Sequence, residues 1–303
     1  MELTLGPLAY HWTVERKREF YARIADEAPV DTVYLGEVIC SKRAPFFERE
    51  MPQVIERLQR GGKRVVLCSL AEVMLKRERQ ATADLMESES HEIEINNAAG
   101  LLARDGRAHR VGPFLNAYNE ATIAWMAGQG ATHVCLPTEM PGEAVGIAAK
   151  AARDLDLGVE VQVFGRAPLA VSARCYHARA HGRTKDNCQF ICEDDPDGMP
   201  LATRDDQPIL RVNGIQTQSE SYIELLAELP EMKALGITHA RLLPQDVDMV
   251  AVAQVFDDVL NSGLDADDGR ARLSEVCAGT AFSNGFWHGV AGYRHINRKA
   301  VAA

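Results

Sequence analysis

A closed, eight-stranded α/β barrel of the TIM-like kind, regular or distorted, is the fold class this sequence predicts. Short apolar runs alternate with longer amphipathic ones along most of the 303 residues, the pattern of parallel strands with helices outside them. The strand–helix unit recurs roughly seven or eight times, and about 250 residues of such units is typical of an eight-stranded barrel. No Gly-rich dinucleotide fingerprint follows the first strand, which leaves a doubly wound open sheet as the runner-up.

The first strand is expected at Leu3–Leu5 and the first helix at Val14–Ala28. Thr32–Leu35 and Arg64–Ser69 are apolar, β-branched runs of strand length, with a helix between them at Phe46–Arg60. A helix at Ala71–Met86 leads to strands Glu92–Asn96 and Arg110–Leu115. Helix Asn119–Ala127, strand His133–Leu136, helix Gly142–Leu155 and strand Val159–Phe164 continue the rhythm. Strand Ile209–Val212, helix Ser219–Leu235, strand Ala240–Leu243 and helix Val247–Leu260 complete it. In the last helix Val252, Val255, Phe256 and Val259 recur at helical spacing and form one apolar stripe.

Two stretches of this single domain, read as spanning 1–303, break the rhythm. Residues 172–207 mix Arg, His, Lys, Asp and Gly with little periodicity, and Glu193-Asp194-Asp195-Pro196-Asp197-Gly198 reads as a turn. So long a loop inside a compact domain is functional or tied down. We read it as an insertion stapled by a metal. Residues 263–303 form an irregular tail whose Phe286-Trp287-His288-Gly289 suggests a docked lid, an interface strip or, more plainly, a segment packed on the barrel.

The composition is globular, at 46% hydrophobic and 25% charged. A formal net charge of −10 disfavours a nucleic-acid partner, since affinity for phosphate rests on clustered Lys and Arg. No stretch approaches the roughly 20 apolar residues of a membrane span, and Met1-Glu2-Leu3-Thr4-Leu5-Gly6 does not read as a secretory leader. The expected location is the cytoplasm. There, 7 cysteines argue for thiol or metal chemistry rather than a disulfide framework.

Four of those cysteines stand out. Cys40 follows the strand ending near Leu35, and Cys175, Cys188 and Cys192 lie in the insertion after the strand ending near Phe164. Both loops belong to the C-terminal rim of a barrel, where ligands gather, so all four can converge on one metal site. Soft thiolates select zinc or iron–sulfur clusters. Structural zinc favours tight ligand pairs on both sides of the site; only Cys188 and Cys192 are close here, so the spacing leans toward iron–sulfur and leaves zinc open. Cys68 and Cys135 lie in apolar strands and read as buried hydrophobes, and Cys277 has no assignment. His177 and His181 flank the cysteine loop, either as polar loop residues or as hydrogen-bond donors to cluster sulfur. Glu37, Asn96, Asn116 and Asn213 end or follow strands and are candidates for the barrel mouth. No P-loop, HExxH or GxSxG is present.

Val30-Asp31-Thr32-Val33-Tyr34-Leu35-Gly36-Glu37-Val38-Ile39-Cys40, the opening Leu3-Thr4-Leu5-Gly6-Pro7-Leu8, Asn213-Gly214-Ile215-Gln216-Thr217 and the Cys175/Cys188/Cys192 spacing together resemble the collagenase-like peptidase family. The resemblance runs over nearly the whole chain, and it is to members acting in oxygen-independent ubiquinone biosynthesis. It implies a 4Fe–4S cluster on Cys40, Cys175, Cys188 and Cys192. It also implies a heterodimer with a second family member, a lipid-binding accessory protein, and hydroxylation of a quinone precursor with prephenate as oxygen donor. Other relatives hydroxylate RNA bases, a contrast the acidic charge disfavours. A scaffold in which the metal merely staples the insertion is the third alternative. Nothing in the motifs supports proteolysis.

Overall fold

The structure is a computed structural model in which residues 1–297 are described. Seven strands follow one another in sequence and space: β1 (Glu2–Leu5), β2 (Thr32–Leu35), β3 (Arg64–Cys68), β4 (Glu92–Ile95), β5 (His109–Val111), β6 (Ala131–Cys135) and β7 (Gly158–Val171). Beyond β7 come β8 (Met199–Ala202), β9 (Pro208–Asn213), β10 (Gln216–Glu224), β11 (His239–Leu242) and β12 (Phe282–Ser283). Every pairing from β1 through β7 is parallel, and β11 pairs in parallel with both β7 and β1. The sheet is therefore a closed, eight-stranded parallel barrel.

Among the described residues ten α-helices accompany it: α1 (Val14–Glu27), α2 (Met51–Arg60), α3 (Lys76–Met86), α4 (Ala98–Arg104), α5 (Glu120–Gly128), α6 (Gly142–Arg153), α7 (Tyr176–Ala180), α8 (Leu229–Leu235), α9 (Met249–Asp257) and α10 (Ala266–Val276). Strand residues Leu5, Val33, Val134 and Ala240 pack in one core with helical Ile24, Leu58, Ile123 and Phe256. Polar caps fix where helices begin: Thr13 accepts from the Arg16 amide before α1, and Asp248 from those of Val250 and Ala251 before α9.

Inside the barrel, the aliphatic layers usual to the fold give way to a hydrogen-bonded network. Arg241 bridges Glu94 and Glu160, Tyr34 donates to Glu160 at 2.9 Å, and Arg110 donates to Tyr34 at 2.9 Å. His133 stands 3.2 Å from Glu160, and Thr4 donates to the same carboxylate. Burial works against ionisation of Glu160, but Arg241 and then His133 hold its carboxyl well below the usual range.

The departures from the sequence expectation have local causes. Strand β7 runs 14 residues, past the barrel rim, and pairs antiparallel with β10, which pairs antiparallel with β9. Ile209–Val212 thus lies in an excursion rather than in the barrel wall. The helix expected over Ser219–Leu235 is strand to Glu224 and helix only from Leu229; Pro230, lacking an N–H, confines the helix to begin there. Pro113 ends β5 early in a 3₁₀ turn. In α3, Glu78 accepts from the Met74 and Leu75 amides, both at 2.9 Å, which places the start at Lys76 rather than Ala71. Residues 172–207 contain α7 and β8, and the tail contains α10, whose polar surface hides its helical period. The tail packs on the barrel: Trp287 is buried and its carbonyl accepts from the Gly142 amide at 2.8 Å. The last six residues of the expected tail, 298–303, lie outside the described residues. Among the described residues no helix is long and apolar enough to cross a membrane.

Candidate metal centre and barrel mouth

Each cysteine is presented by a local device. At the end of β2, Gly36 adopts φ +142°, and a Cβ there would lie 2.8 Å from the Cys68 carbonyl oxygen, so only glycine makes this turn unstrained. Glu37 then accepts from the amides of Ile39 at 3.0 Å and Cys40 at 2.9 Å, while Val38 and Ile39 are buried against Tyr34 and Ile215. The Gly36→Ala variant is expected to lose about 1–3 kcal/mol through backbone strain. Its midpoint in chemical denaturation measures this, and a wild-type midpoint would refute it.

Cys175 caps α7, its Sγ accepting from the Ala178 amide at 3.4 Å. Cys188 is buried; its carbonyl accepts from Arg183 at 3.1 Å, and its Sγ lies 3.7 Å from the Lys42 ammonium. Cys192 sits in the 3₁₀ turn Ile191–Glu193, after Phe190 in the left-handed region. Arg43, only 1% exposed, lies among them. It donates to the Ala9 carbonyl at 2.8 Å and to Asn213 Oδ1 at 2.9 Å. Burial pushes the Cys40 and Cys175 thiols up, opposed in part by the Arg43 charge at Cys40 and by the Ala178 amide at Cys175.

The insertion is pinned at several points. Trp12 Nε1 donates to the Pro196 carbonyl at 2.7 Å, Lys42 donates to the Lys185 carbonyl at 2.8 Å, and Arg166 pairs with Asp197. His177 Nε2 stands 2.8 Å from Asp195.

Four thiolates are the soft donors that zinc and iron–sulfur clusters take. Among the described residues no three His, Cys, Asp or Glu side chains stand close enough to share one metal ion. A tetrahedral zinc, with Zn–S of about 2.3 Å, needs its sulfurs about 4 Å apart; a four-iron cube takes one thiolate at each iron and spreads them further. Beside the cysteines, Arg43 Nε and both ring nitrogens of His11 are buried without a hydrogen-bond partner. His11 is wedged against Phe46 and Phe190, at ring separations of 5.1 and 5.5 Å. Burial first, then Arg43 and Lys17, lower its pKa to about 4.

A family model described as peptidase family U32 matches residues 12–297. The chain belongs to peptidase family U32. The crystal structure of an uncharacterized B. cereus protein is similar at a TM-score of 0.41 and 10% identity, covering 88% of this chain and 66% of that one. This chain thus spans just under two thirds of that protein's length.

The mouth of this U32 barrel holds a cavity of about 360 Å³, lined by Glu72, Phe114, Asn116, Tyr118, Glu139 and Pro168 among others. Phe114, Thr138 and Pro168 are shared with an inner pocket of about 30 Å³, room for about one water. The inner pocket is bordered by Arg241 and Gln216, whose Nε and Oε1 have no partner. Val38 and Ile39 form part of its wall, two residues before Cys40, so the cavity and the cysteine loops adjoin.

Of the residues expected at the mouth, Asn116 lines the outer cavity. Glu37 caps the Cys40 loop, Asn96 binds Ser69 and Glu94, and Asn213 holds Arg43. His177 binds Asp195, and His181 stacks on it at 5.7 Å. Cys68 and Cys135 are buried in their strands, and Cys277 is a core residue whose thiol burial pushes up to about 12. Sequence reasoning missed Lys42, Arg43 and His11. The first two were signalled by two adjacent cations just after Cys40.

Proposed function

We propose that this chain is a UbiV-like subunit of an oxygen-independent hydroxylase in ubiquinone biosynthesis, with a 4Fe–4S cluster on Cys40, Cys175, Cys188 and Cys192. It acts in the cytoplasm as a heterodimer with a UbiU-like protein, helped by a UbiT-like lipid-binding protein, on a quinone precursor, with prephenate as oxygen donor. The observation that carries this reading is the meeting of two cysteine-bearing loops around the buried Arg43, beside the barrel mouth. Membership of family U32 supports it, and the proposal contains no proteolytic step.

Bound there, a 4Fe–4S cluster supplies one-electron transfer or Lewis-acid iron. The chain's own residues do the rest. Glu37 and the α7 cap orient Cys40 and Cys175. Phe114 and Pro168 offer an apolar wall to a ring, and Gln216 and Arg241 offer an acceptor and a donor to a hydroxyl or water. With Glu72 and Glu139 on the rim and the formal charge of −10, the mouth suits an uncharged ring better than an RNA strand.

Anaerobic purification with iron and sulfide assay, visible absorption and EPR tests the reading. About four irons and four sulfides per chain are expected, lost together in Cys→Ala variants. A colourless protein with stoichiometric zinc would sink it. Co-purification with a second U32 protein tests the partner, and a chain that stays monomeric in its presence counts against it.

A further inference from the structure

Two cations, Lys42 and Arg43, follow Cys40's neighbour and reach into the cysteine loops. The Lys42 ammonium lies 3.7 Å from Cys188 Sγ; the Arg43 amide donates to the Cys40 carbonyl at 2.9 Å, and its guanidinium lies against Gly214, whose carbonyl accepts from the His177 amide, two residues after Cys175, at 3.4 Å. Arg43 is not free to turn away. Its two terminal nitrogens are held by the Ala9 carbonyl and Asn213, and Asn213 in turn donates to the same Ala9 carbonyl at 2.9 Å. The Gly214 backbone closes on the guanidinium, where a Cβ would lie 2.8 Å from Nη2. A third cation, Lys17 of α1, is buried nearby. The facing acids are Glu37 and Glu193, and Glu37 is committed to the Cys40 loop.

We infer that Arg43 and Lys42 are positioning residues that offset the charge of the group held by the four cysteines and set its reduction potential. The inference rests on the cluster reading above. Reduction of a thiolate-bound cluster adds one electron and no compensating cation, so a fixed positive charge in a buried site favours the reduced form. Arg43 serves where Lys would not, because its planar fork stays charged when buried and can hold a backbone and a side-chain oxygen at once. Lys42 acts from the half-exposed side, where solvent screens it more.

The test is an EPR-monitored redox titration of the anaerobically prepared protein, wild type against Arg43→Gln, Lys42→Gln and Lys42→Arg, each with iron and sulfide assay. Both Gln variants are expected to shift the midpoint to more negative potential, Arg43→Gln by more, and Lys42→Arg to restore it. Loosened packing alone would lower iron content without moving the midpoint of the clusters that remain. If Arg43→Gln does not hold a cluster, Lys42→Gln and its Arg rescue decide. Unchanged midpoints at full iron load overturn the inference and leave the proposed function standing. A wild-type chain without iron and sulfide overturns both.

Discussion

The Arg241→Met variant is expected to lose about 3–5 kcal/mol, as found when one partner of a buried ion pair is removed. Arg241 is 1% exposed and bridges Glu94 and Glu160, which are 1% and 0% exposed. Met fills similar space but leaves two carboxylates facing each other in the barrel interior, with Tyr34, Arg110 and His133 too few to neutralise both. Urea unfolding at neutral pH measures the loss, and a variant within 1 kcal/mol of wild type would refute it.

The pH dependence of the variant should also invert. In the wild type the Glu160 carboxyl is depressed, so its stabilisation is full above the unfolded value of about 4.3 and is lost as pH falls through the folded one. Without Arg241, the burial that already opposes ionisation is no longer outweighed, and the folded pKa rises. Stability is then greater at low pH and falls as pH rises, so Arg241→Met should gain stability on acidification from neutral pH toward 5, where wild type stays level. Adding Glu160→Gln to the variant should recover part of the loss at neutral pH and flatten the slope.

Arg166→Met should act locally. Arg166 pairs with Asp197, donates to the Ser219 carbonyl at 3.1 Å and to that of Glu220, and lies 4.7 Å above the Tyr222 ring. Tyr222 donates to the same Asp197 at 3.1 Å. This one side chain therefore joins the end of the insertion to β7 and β10. Its loss should cost about 3 kcal/mol, concentrated in the insertion, since segments open separately when their anchors differ. Hydrogen exchange should rise across residues 172–198 while β1–β6 stay protected, and the iron content should fall. Unchanged exchange in the insertion would show that Trp12 and Lys42 suffice to hold it.

The strand–helix rhythm was readable because buried parallel strands are continuous apolar runs: Thr32–Leu35 was predicted to the residue. The excursion after β7 was not. Ser219–Glu224 is polar on one face and pairs antiparallel with β7 and β9 and in parallel with the short β12, so its pattern resembles a helix surface. The cysteines drew notice in the sequence because thiols are few and chemically distinct. Arg43 did not, because an arginine in sequence is by default a solvated charge.

By itself the sequence determined the α/β alternation and singled out the four cysteines, since these are properties of residue type and period. Only the tertiary structure decided that the sheet closes through β11, that Glu94, Glu160 and Arg241 meet inside it, and that Arg43 lies buried among cysteines from two loops. Such contacts join positions far apart in the chain. Their energies depend on burial and distance, which no local period encodes.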